Sequence, residues 1–292
     1  MKPRFKAEPW LFAAPALIVY LLIVIIPVIW SLGYSLFNWN GISEMKFAGL
    51  DNYVRMFRDT TFQAAVRNNL YFMAVGTVYQ VFMGLMMAIL LSSIQRGSNV
   101  LRVVYFIPCI ISSMAICKIF EKLLSVMPQG VLAALMAALG LKPIAFLSEP
   151  NYALLFVTLV DGYKFCGLYM VIFYSAFMAI PKDVVEAAYI DGCTWLGQYI
   201  HIKLPMIRGI FFTVLVILVN GTLKGFDVSY ILTAGGPGSA SELVATYMYK
   251  TAFNSTNFGY GSAISVFLLV ESLIAVSFVR YFQGRSDRAM SL

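Results

Sequence analysis

Charged residues are scarce in this 292-residue sequence. Asp, Glu, Lys and Arg make up 12% of it and hydrophobic residues 60%, whereas charged residues make up about 25% of an average soluble domain. Residues 9–43 and 68–95 contain none of the four charged types. Each is long enough to cross a bilayer, which takes about 20 apolar residues. An ordinary soluble domain is therefore excluded, and the composition predicts a polytopic membrane protein.

Metal-ligating and nucleophilic residues are also few. The sequence has one histidine, His201, and four cysteines without a CxxC spacing, so neither a zinc site nor a disulfide framework is predicted. It contains no G-x-x-x-x-G-K-[ST] phosphate-binding loop and no H-E-x-x-H motif, the patterns expected of a nucleotide hydrolase and a metalloprotease. We therefore expect no catalytic residues, no metal and no cofactor on this chain.

Six apolar segments are predicted to be transmembrane helices, near residues 10–37, 68–94, 101–120, 151–180, 209–233 and 260–282. The first is longer than the roughly 7–15-residue core of a signal peptide. Residues 123–141 are interrupted by Pro128 and Gly130, and the apolar remainder is too short to span. That segment is either a short interfacial helix or a re-entrant element. Residues 1–292 are thus predicted to form a single all-α transmembrane domain.

The distribution of Lys and Arg predicts the orientation of these six spans. With a cytoplasmic amino terminus, the inside segments hold more Lys and Arg than the longer outside segments, as the positive-inside rule requires. This predicts a multi-pass membrane protein with both termini in the cytoplasm. Lipid headgroups on that face account for the net charge of +7, so nucleic acid is not an expected partner.

The loop between the fourth and fifth spans, residues 181–208, carries a distinctive pattern. Pro181 ends the span, and Asp183 with Glu186 has the spacing of a capping box that would start a short helix. Gly192 permits a sharp change of direction, so the loop is predicted to be a helix-turn-helix. From capping alone, a plain connector resting on the membrane would fit equally well.

The full spacing of this loop is E-A-A, three residues, G, nine residues, then I-x-L-P. It resembles the signature loop of binding-protein-dependent ABC importer permeases. The matching residues are Glu186, Ala187, Ala188, Gly192, Ile202, Leu204 and Pro205. Residues 47–53 and 232–237 resemble the F-x-G-L-x-N-Y and L-T-x-G-G-P segments of the carbohydrate-type members. The resemblance covers nearly the whole chain and implies the type I ABC importer permease fold.

The resemblance also implies a role and a set of partners. The chain would be a transport subunit, not an enzyme, in an ATP-driven importer of the bacterial plasma membrane for a sugar or oligosaccharide. Its partners would be a second, homologous six-span permease, an extracellular sugar-binding protein, membrane lipid and two ATP-binding cassette subunits, which would carry the ATP and magnesium. The residues implied in coupling to an ATPase are Glu186, Ala187, Ala188, Asp191 and Gly192.

Ionisable residues inside spans are candidates for the substrate pathway, because each costs about 2.5–3.5 kcal/mol to insert and usually faces a cavity or a partner. Asp161 with Lys164, and Lys224 with Asp227, are spaced i, i+3. Each pair either neutralises itself on one helix face or binds sugar hydroxyls. Resemblance to maltose-importer permeases implies further sugar contacts. The complete candidate set is Asp161, Tyr163, Lys164, Phe165, Leu168, Leu218, Gly221, Thr222, Lys224, Gly225 and Asp227.

Two other functions fit some of these residues. An importer of another solute, such as a phosphorylated polyol, would use Lys164 and Lys224 to bind the anion. An intramembrane enzyme would use Asp161 and Asp227 as paired carboxylates, which leaves the signature loop without a role.

Overall fold

The computed structural model describes residues 8–94 and 96–288. The regular secondary structure of these residues is helical apart from one short antiparallel hairpin, in which Phe37–Asn38 pairs with Lys46–Phe47. The chain divides into two compact units: residues up to Asp59 with Met248–Leu269, and Thr60–Tyr247 with the residues from Val270 onward.

Fifteen α-helices follow one another along the described residues. The first seven are α1 (Glu8–Tyr20), α2 (Ile26–Tyr34), α3 (Asp51–Arg58), α4 (Thr60–Ser93), α5 (Ser98–Ile110), α6 (Ser113–Leu124) and α7 (Val131–Ala138). The others are α8 (Pro150–Met178), α9 (Lys182–Ile190), α10 (Trp195–Gln198), α11 (Leu204–Met206), α12 (Arg208–Leu223), α13 (Asp227–Thr233), α14 (Val244–Tyr249) and α15 (Phe258–Arg288). Single π-helical turns lie at Leu21–Ile25, Tyr199–Lys203 and Lys250–Asn254.

Five helical segments of the described chain are long and apolar enough to cross a membrane. They are Phe12–Tyr34, Thr60–Ser93, Pro150–Met178, Arg208–Thr233 and Phe258–Arg285. A sixth results if α5 and α6 are counted as one span, although they meet at 95°. The predicted all-α, multi-span architecture is therefore confirmed.

The third predicted span, 101–120, is not one straight helix. Ile111 and Ser112 are extended, with ψ of 142° and 137°, and separate α5 from α6. Pro108 lies in the last turn of α5, where it has no amide hydrogen to donate to the preceding turn. The sharp bend places the first residue of α6, Ser113, beside α8 and α13.

The fifth span is also interrupted. α12 ends at Leu223, and α13 begins at Asp227 after three non-helical residues. Within 123–141, the eight-residue α7 rises only about 12 Å at 1.5 Å per residue, so this helix alone does not span. Its position, interfacial or re-entrant, stays a prediction.

Small residues let the helices of the second unit pack closely. A Cβ on Gly84 of α4 would lie 3.0 Å from the Tyr169 Cβ of α8, and a Cβ on Gly167 of α8 would overlap the carbonyl oxygen of Tyr105 on α5. Such glycines allow backbones in a membrane to approach. Next to this contact, Leu91 of α4 and Met170 and Phe173 of α8 belong to a buried apolar core.

In the first unit, the F-x-G-L-x-N-Y segment has a structural role. The Asn52 amide donates to the carbonyl oxygens of Ser35 and Phe37, at 2.9 and 3.0 Å. The hydroxyls of Tyr53 and Ser35 hydrogen-bond at 2.7 Å. The segment therefore holds the end of the first span against α3.

Candidate functional site

The signature loop begins differently from the sequence prediction. α9 starts after Pro181, and no side chain caps its first turn. Asp183 is the second helical residue, so the predicted capping box of Asp183 and Glu186 is wrong. The reason is that Pro181, with ψ of 133°, leads directly into the helix. Asp183 still lies in the first turn, where a negative charge favours the helix macrodipole.

The end of α9 agrees with the prediction. Gly192 adopts φ +77°, which a residue with a Cβ rarely does. Its amide donates to the Tyr189 carbonyl at 3.1 Å, and the Cys193 amide donates to Ala188 at 2.9 Å. These two bonds form a Schellman motif. Thr194 then caps α10 by accepting from the Gly197 amide at 3.2 Å, so the predicted turn at Gly192 is confirmed.

Four of the five predicted coupling residues are exposed. Glu186, Ala187, Asp191 and Gly192 lie on the surface, while Ala188 is 7% exposed. The structure adds two apolar side chains that sequence reasoning missed, Tyr189 (75% exposed) and Ile190 (84% exposed). Their signal in the sequence is their place directly after the two alanines. Apolar side chains exposed together commonly mark an interaction surface.

The far end of the loop is anchored in the helix bundle. Tyr199 is 1% exposed, and its hydroxyl hydrogen-bonds to that of Ser92 on α4 at 2.8 Å. Its ring packs edge-on against Phe177 of α8, with centroids 5.5 Å apart. These contacts join the loop to two long helices, α4 and α8.

A cavity of about 290 Å³ lies in the second unit, where α4, α8, α12 and α13 meet. Nine of the eleven candidate substrate residues line it: Asp161, Lys164, Phe165, Leu168, Gly221, Thr222, Lys224, Gly225 and Asp227. It is also lined by Gln80, Tyr169, Ile217, Phe226 and Val228. The break between α12 and α13 forms one wall, because Lys224 and Asp227 flank it.

Two of the candidate substrate residues lie elsewhere. Tyr163 is 42% exposed and packs against Phe120, with centroids 5.3 Å apart. It is two residues from Asp161, about 200° around a helix of 3.6 residues per turn, and so faces away from the cavity. Leu218 is 1% exposed and belongs to the apolar core.

Three of the four charged residues that line the cavity have hydrogen-bond partners on other helices. Lys164 Nζ donates to Ser113 Oγ of α6, and Ser113 Oγ donates to Asp227 Oδ2 of α13 at 3.1 Å. Gln80 Nε2 of α4 donates to Asp161 Oδ2 at 3.4 Å. We call the two hydrogen bonds that connect Lys164 through Ser113 to Asp227 the Lys164–Ser113–Asp227 bridge. It joins three helices that the sequence alone did not place together.

Neither predicted i, i+3 pair forms a salt bridge within the described part of the chain. For Lys224 and Asp227 the cause is the break after Leu223, since i, i+3 neighbours share a face only in a continuous helix. For Asp161 and Lys164 the cause is competition, since Ser113 holds the ammonium and Gln80 the carboxylate. Both Asp161 (9% exposed) and Lys164 (7%) are buried.

Sequence reasoning missed Ser113 and Gln80. Gln80 is 1% exposed and is the one amide in the middle of the charge-free second span, which is a usable signal. Ser113 follows another serine in an apolar segment. Nothing in that local pattern distinguishes it from a helix-surface serine.

The L-T-x-G-G-P segment forms a tight turn. Gly235 has φ +78° and leaves room for the buried Glu242 carboxylate, which a Cβ there would overlap. The Ser241 hydroxyl donates to the Gly236 carbonyl at 2.5 Å and hydrogen-bonds to Thr233 at 2.7 Å. The segment is thus a structural support beside the break in the fifth span.

A broken span beside a cavity with charged residues in its lining, together with a surface loop tied to two other helices that line this cavity, is the arrangement expected of a membrane transport subunit. Residues 80–288 match the family model described as binding-protein-dependent transport system inner membrane component. The chain belongs to this family, and it is a multi-pass permease subunit of an ABC transporter. The predicted family and transport role are therefore confirmed, and the intramembrane-enzyme alternative is not favoured.

Similar proteins cover almost the entire chain. A probable ABC transporter permease of Bacillus subtilis, YurN, is 36% identical over 274 residues, which are 92% of this chain and 93% of that protein. The lactose transport system permease LacF of Rhizobium radiobacter is 28% identical over 294 residues, 99% of this chain and 97% of its own. The trehalose/maltose transport system permease MalF of Thermococcus litoralis is 29% identical over 279 residues, 94% of each chain.

The fold also resembles a solved structure. A chain from the crystal structure of a bacterial alginate ABC transporter, in complex with an alginate pentasaccharide-bound periplasmic protein, superposes with a TM-score of 0.84. The alignment covers 95% of both chains at 22% sequence identity. This likeness supports the permease fold.

Proposed function

We propose that this chain is one of two permeases in an ATP-driven importer for a sugar or oligosaccharide, with the substrate passing through the cavity beside the break in the fifth span. The observation that carries the proposal is the cavity's lining. It combines a buried carboxylate and amide, Asp161 and Gln80, with the aromatic rings of Phe165 and Tyr169. Carboxylates and amides bind sugar hydroxyls, and aromatic faces provide apolar surface for a sugar ring.

The names of the relatives support this substrate class. LacF is named for lactose and MalF for trehalose and maltose, and AraP of Bacillus subtilis, 28% identical over 285 residues, for arabino-oligosaccharides. The nine candidate residues that line the cavity are the proposed substrate contacts, joined by Gln80. Tyr163 and Leu218 are not included.

We assign coupling to the loop at residues 181–208. Its exposed residues, Glu186, Ala187, Asp191 and Gly192 with the apolar Tyr189, form the surface for one of two ATP-binding cassette subunits. Closure of the ATPases moves α9, and the anchor at Tyr199 passes this movement to the helices that line the cavity. The cavity then opens alternately outward, where a binding protein delivers the sugar, and inward.

The second permease completes the pathway. Side chains of Phe12–Tyr34 are exposed or half-exposed throughout, so this span has its faces available for lipid or for a companion permease. Both termini lie in the cytoplasm, on the same side as the coupling loop.

The test is transport by the complete complex. We would reconstitute the chain with its companion permease, ATPases and binding protein in liposomes and measure ATP-dependent uptake of labelled sugars. Asp161→Asn should abolish uptake while the complex still assembles, because a neutral amide binds hydroxyls more weakly than a carboxylate. Glu121→Gln, an exposed site outside the cavity, is the matched control. Transport of only a non-carbohydrate solute would refute the proposal.

A further inference from the structure

We propose that the cavity selects uncharged sugars and rejects those that carry a carboxylate or phosphate. This inference rests on the proposed function, because it concerns the same cavity. It narrows the substrate class and opposes the use of Lys164 and Lys224 to bind an anion such as a phosphorylated polyol.

The charge inventory of the cavity supports this selectivity. Its described lining contains two acids and two bases: Asp161, Asp227, Lys164 and Lys224. No other charged residue lines it in the part of the chain that the structure describes. A site built for an anion carries an excess of positive charge, and this one is balanced.

The ammonium of Lys164 already has partners within the protein. Its ammonium is buried, donates to Ser113 Oγ and lies 4.8 Å from the centroid of the Phe165 ring. The Ser113 hydroxyl in turn donates to the Asp227 carboxylate at 3.1 Å. An anionic substrate would have to displace this bridge before it could use the charge of Lys164.

Lys224 is a weak recognition site for an anion. It directly follows the last residue of the 16-residue helix α12 and is exposed. The carboxyl end of a helix carries partial negative charge, which stabilises a cation there. Because Lys224 is exposed, an ion pair between its ammonium and an anion would gain little.

The acids of the cavity would repel an anion directly. Asp161 is buried, with the Gln80 amide as its hydrogen-bond partner, and a charge interacts more strongly in the protein interior than in water. Hydroxyl groups of a neutral sugar can donate to this carboxylate and to Asp227, whereas a carboxylate on the sugar would face like charges. A buried site that cannot pair a charge rejects it.

The experiment compares two neutral sugars for which relatives are named, lactose and maltose, each with its uronic acid, in which a primary alcohol is oxidised to a carboxylate. The ring and the size are nearly the same, so charge is the main difference. Binding is measured by competition against the labelled neutral sugar on the purified complex of permeases and ATPases, without the binding protein, whose own selectivity would interfere. We expect the uronic acid to bind about 10- to 100-fold more weakly, the range that one charged hydrogen bond provides.

Two variants test the bridge itself. Asp227→Asn removes the negative charge that the bridge places opposite the ammonium of Lys164. The difference in affinity between the neutral sugar and its uronic acid should then fall about tenfold. Ser113→Ala removes both hydrogen bonds of the bridge without changing any charge, and it should also reduce the difference in affinity. This second variant keeps the test decisive if Asp227→Asn fails to fold. Glu121→Gln is the control: it removes the acid of the exposed Lys118–Glu121 pair and should leave the difference in affinity between the neutral sugar and its uronic acid unchanged.

The outcomes separate this inference from the function it rests on. Equal or tighter binding of the uronic acid by the unmodified complex would overturn the neutral-sugar proposal while leaving sugar import intact. An unchanged difference in both bridge variants would overturn the role of the bridge. If the complex neither binds nor transports any sugar, the proposed function fails, and the inference with it.

Discussion

The close contact between α5 and α8 at Gly167 leads to a sharp prediction about packing. A Cβ at this position would overlap the Tyr105 carbonyl oxygen and lie 3.1 Å from the Phe106 Cα. Ordinary contacts between non-bonded carbons are about 3.5–4.0 Å. The obstructing atoms belong to the backbone, so no rotamer change relieves the overlap. Gly167→Ala must therefore push α5 away from α8.

The cost follows from two opposing terms. Overpacking of a tight interface costs about 1–3 kcal/mol, while replacing Gly by Ala inside a helix gains about 1 kcal/mol. We expect a net loss of up to about 2 kcal/mol in the free energy of unfolding, from these two values. Since 1.4 kcal/mol is a factor of ten, the folded yield should fall clearly.

Gly209→Ala is the matched control. Gly209 lies in α12, and a Cβ there would have nothing within 4 Å, so the same change should be neutral or slightly stabilising. The assay is the thermal unfolding midpoint of the purified complex, with the monodisperse fraction on size exclusion. Gly167→Ala should also reduce transport, because α5 leads directly into α6 and its Ser113. Equal stability of the two variants would refute the packing argument.

Three further predictions follow from other contacts. Asn69→Leu should destabilise the complex by about 1–3 kcal/mol, because the buried Asn69 amide donates to the Leu223 carbonyl at 3.2 Å. The thermal unfolding midpoint should fall, and an unchanged midpoint would contradict this. Gly192→Ala should reduce the stimulation of ATPase activity by sugar-loaded binding protein, while sugar still binds. Gly140 has a similar φ of +74° but lies outside the loop, so Gly140→Ala should leave the stimulation unchanged. Equal effects of the two variants would exclude a coupling role for Gly192. Expression without the companion permease should yield degraded or aggregated chain, and a transport-competent homodimer would argue against it.

The sequence was sufficient for the fold class because the membrane leaves few choices. Backbone groups in lipid must be paired within the segment, so a long charge-free run has to be a helix. The turn at Gly192 was also predictable, since the left-handed conformation there suits a residue without a Cβ. The same local logic failed at Asp183, where Pro181 starts the helix earlier than the capping pattern implied.

The arrangement of the cavity depended on the tertiary structure. Spacing along one helix identified Asp161, Lys164, Lys224 and Asp227 as candidates, and all four line the cavity. It also suggested local pairs, but a buried charge binds whichever polar group packing brings within reach. Glycines set how closely the helices approach, and two broken spans bring Ser113 to Lys164 and Asp227. Those are contacts between segments far apart in the chain, and no local pattern encodes them.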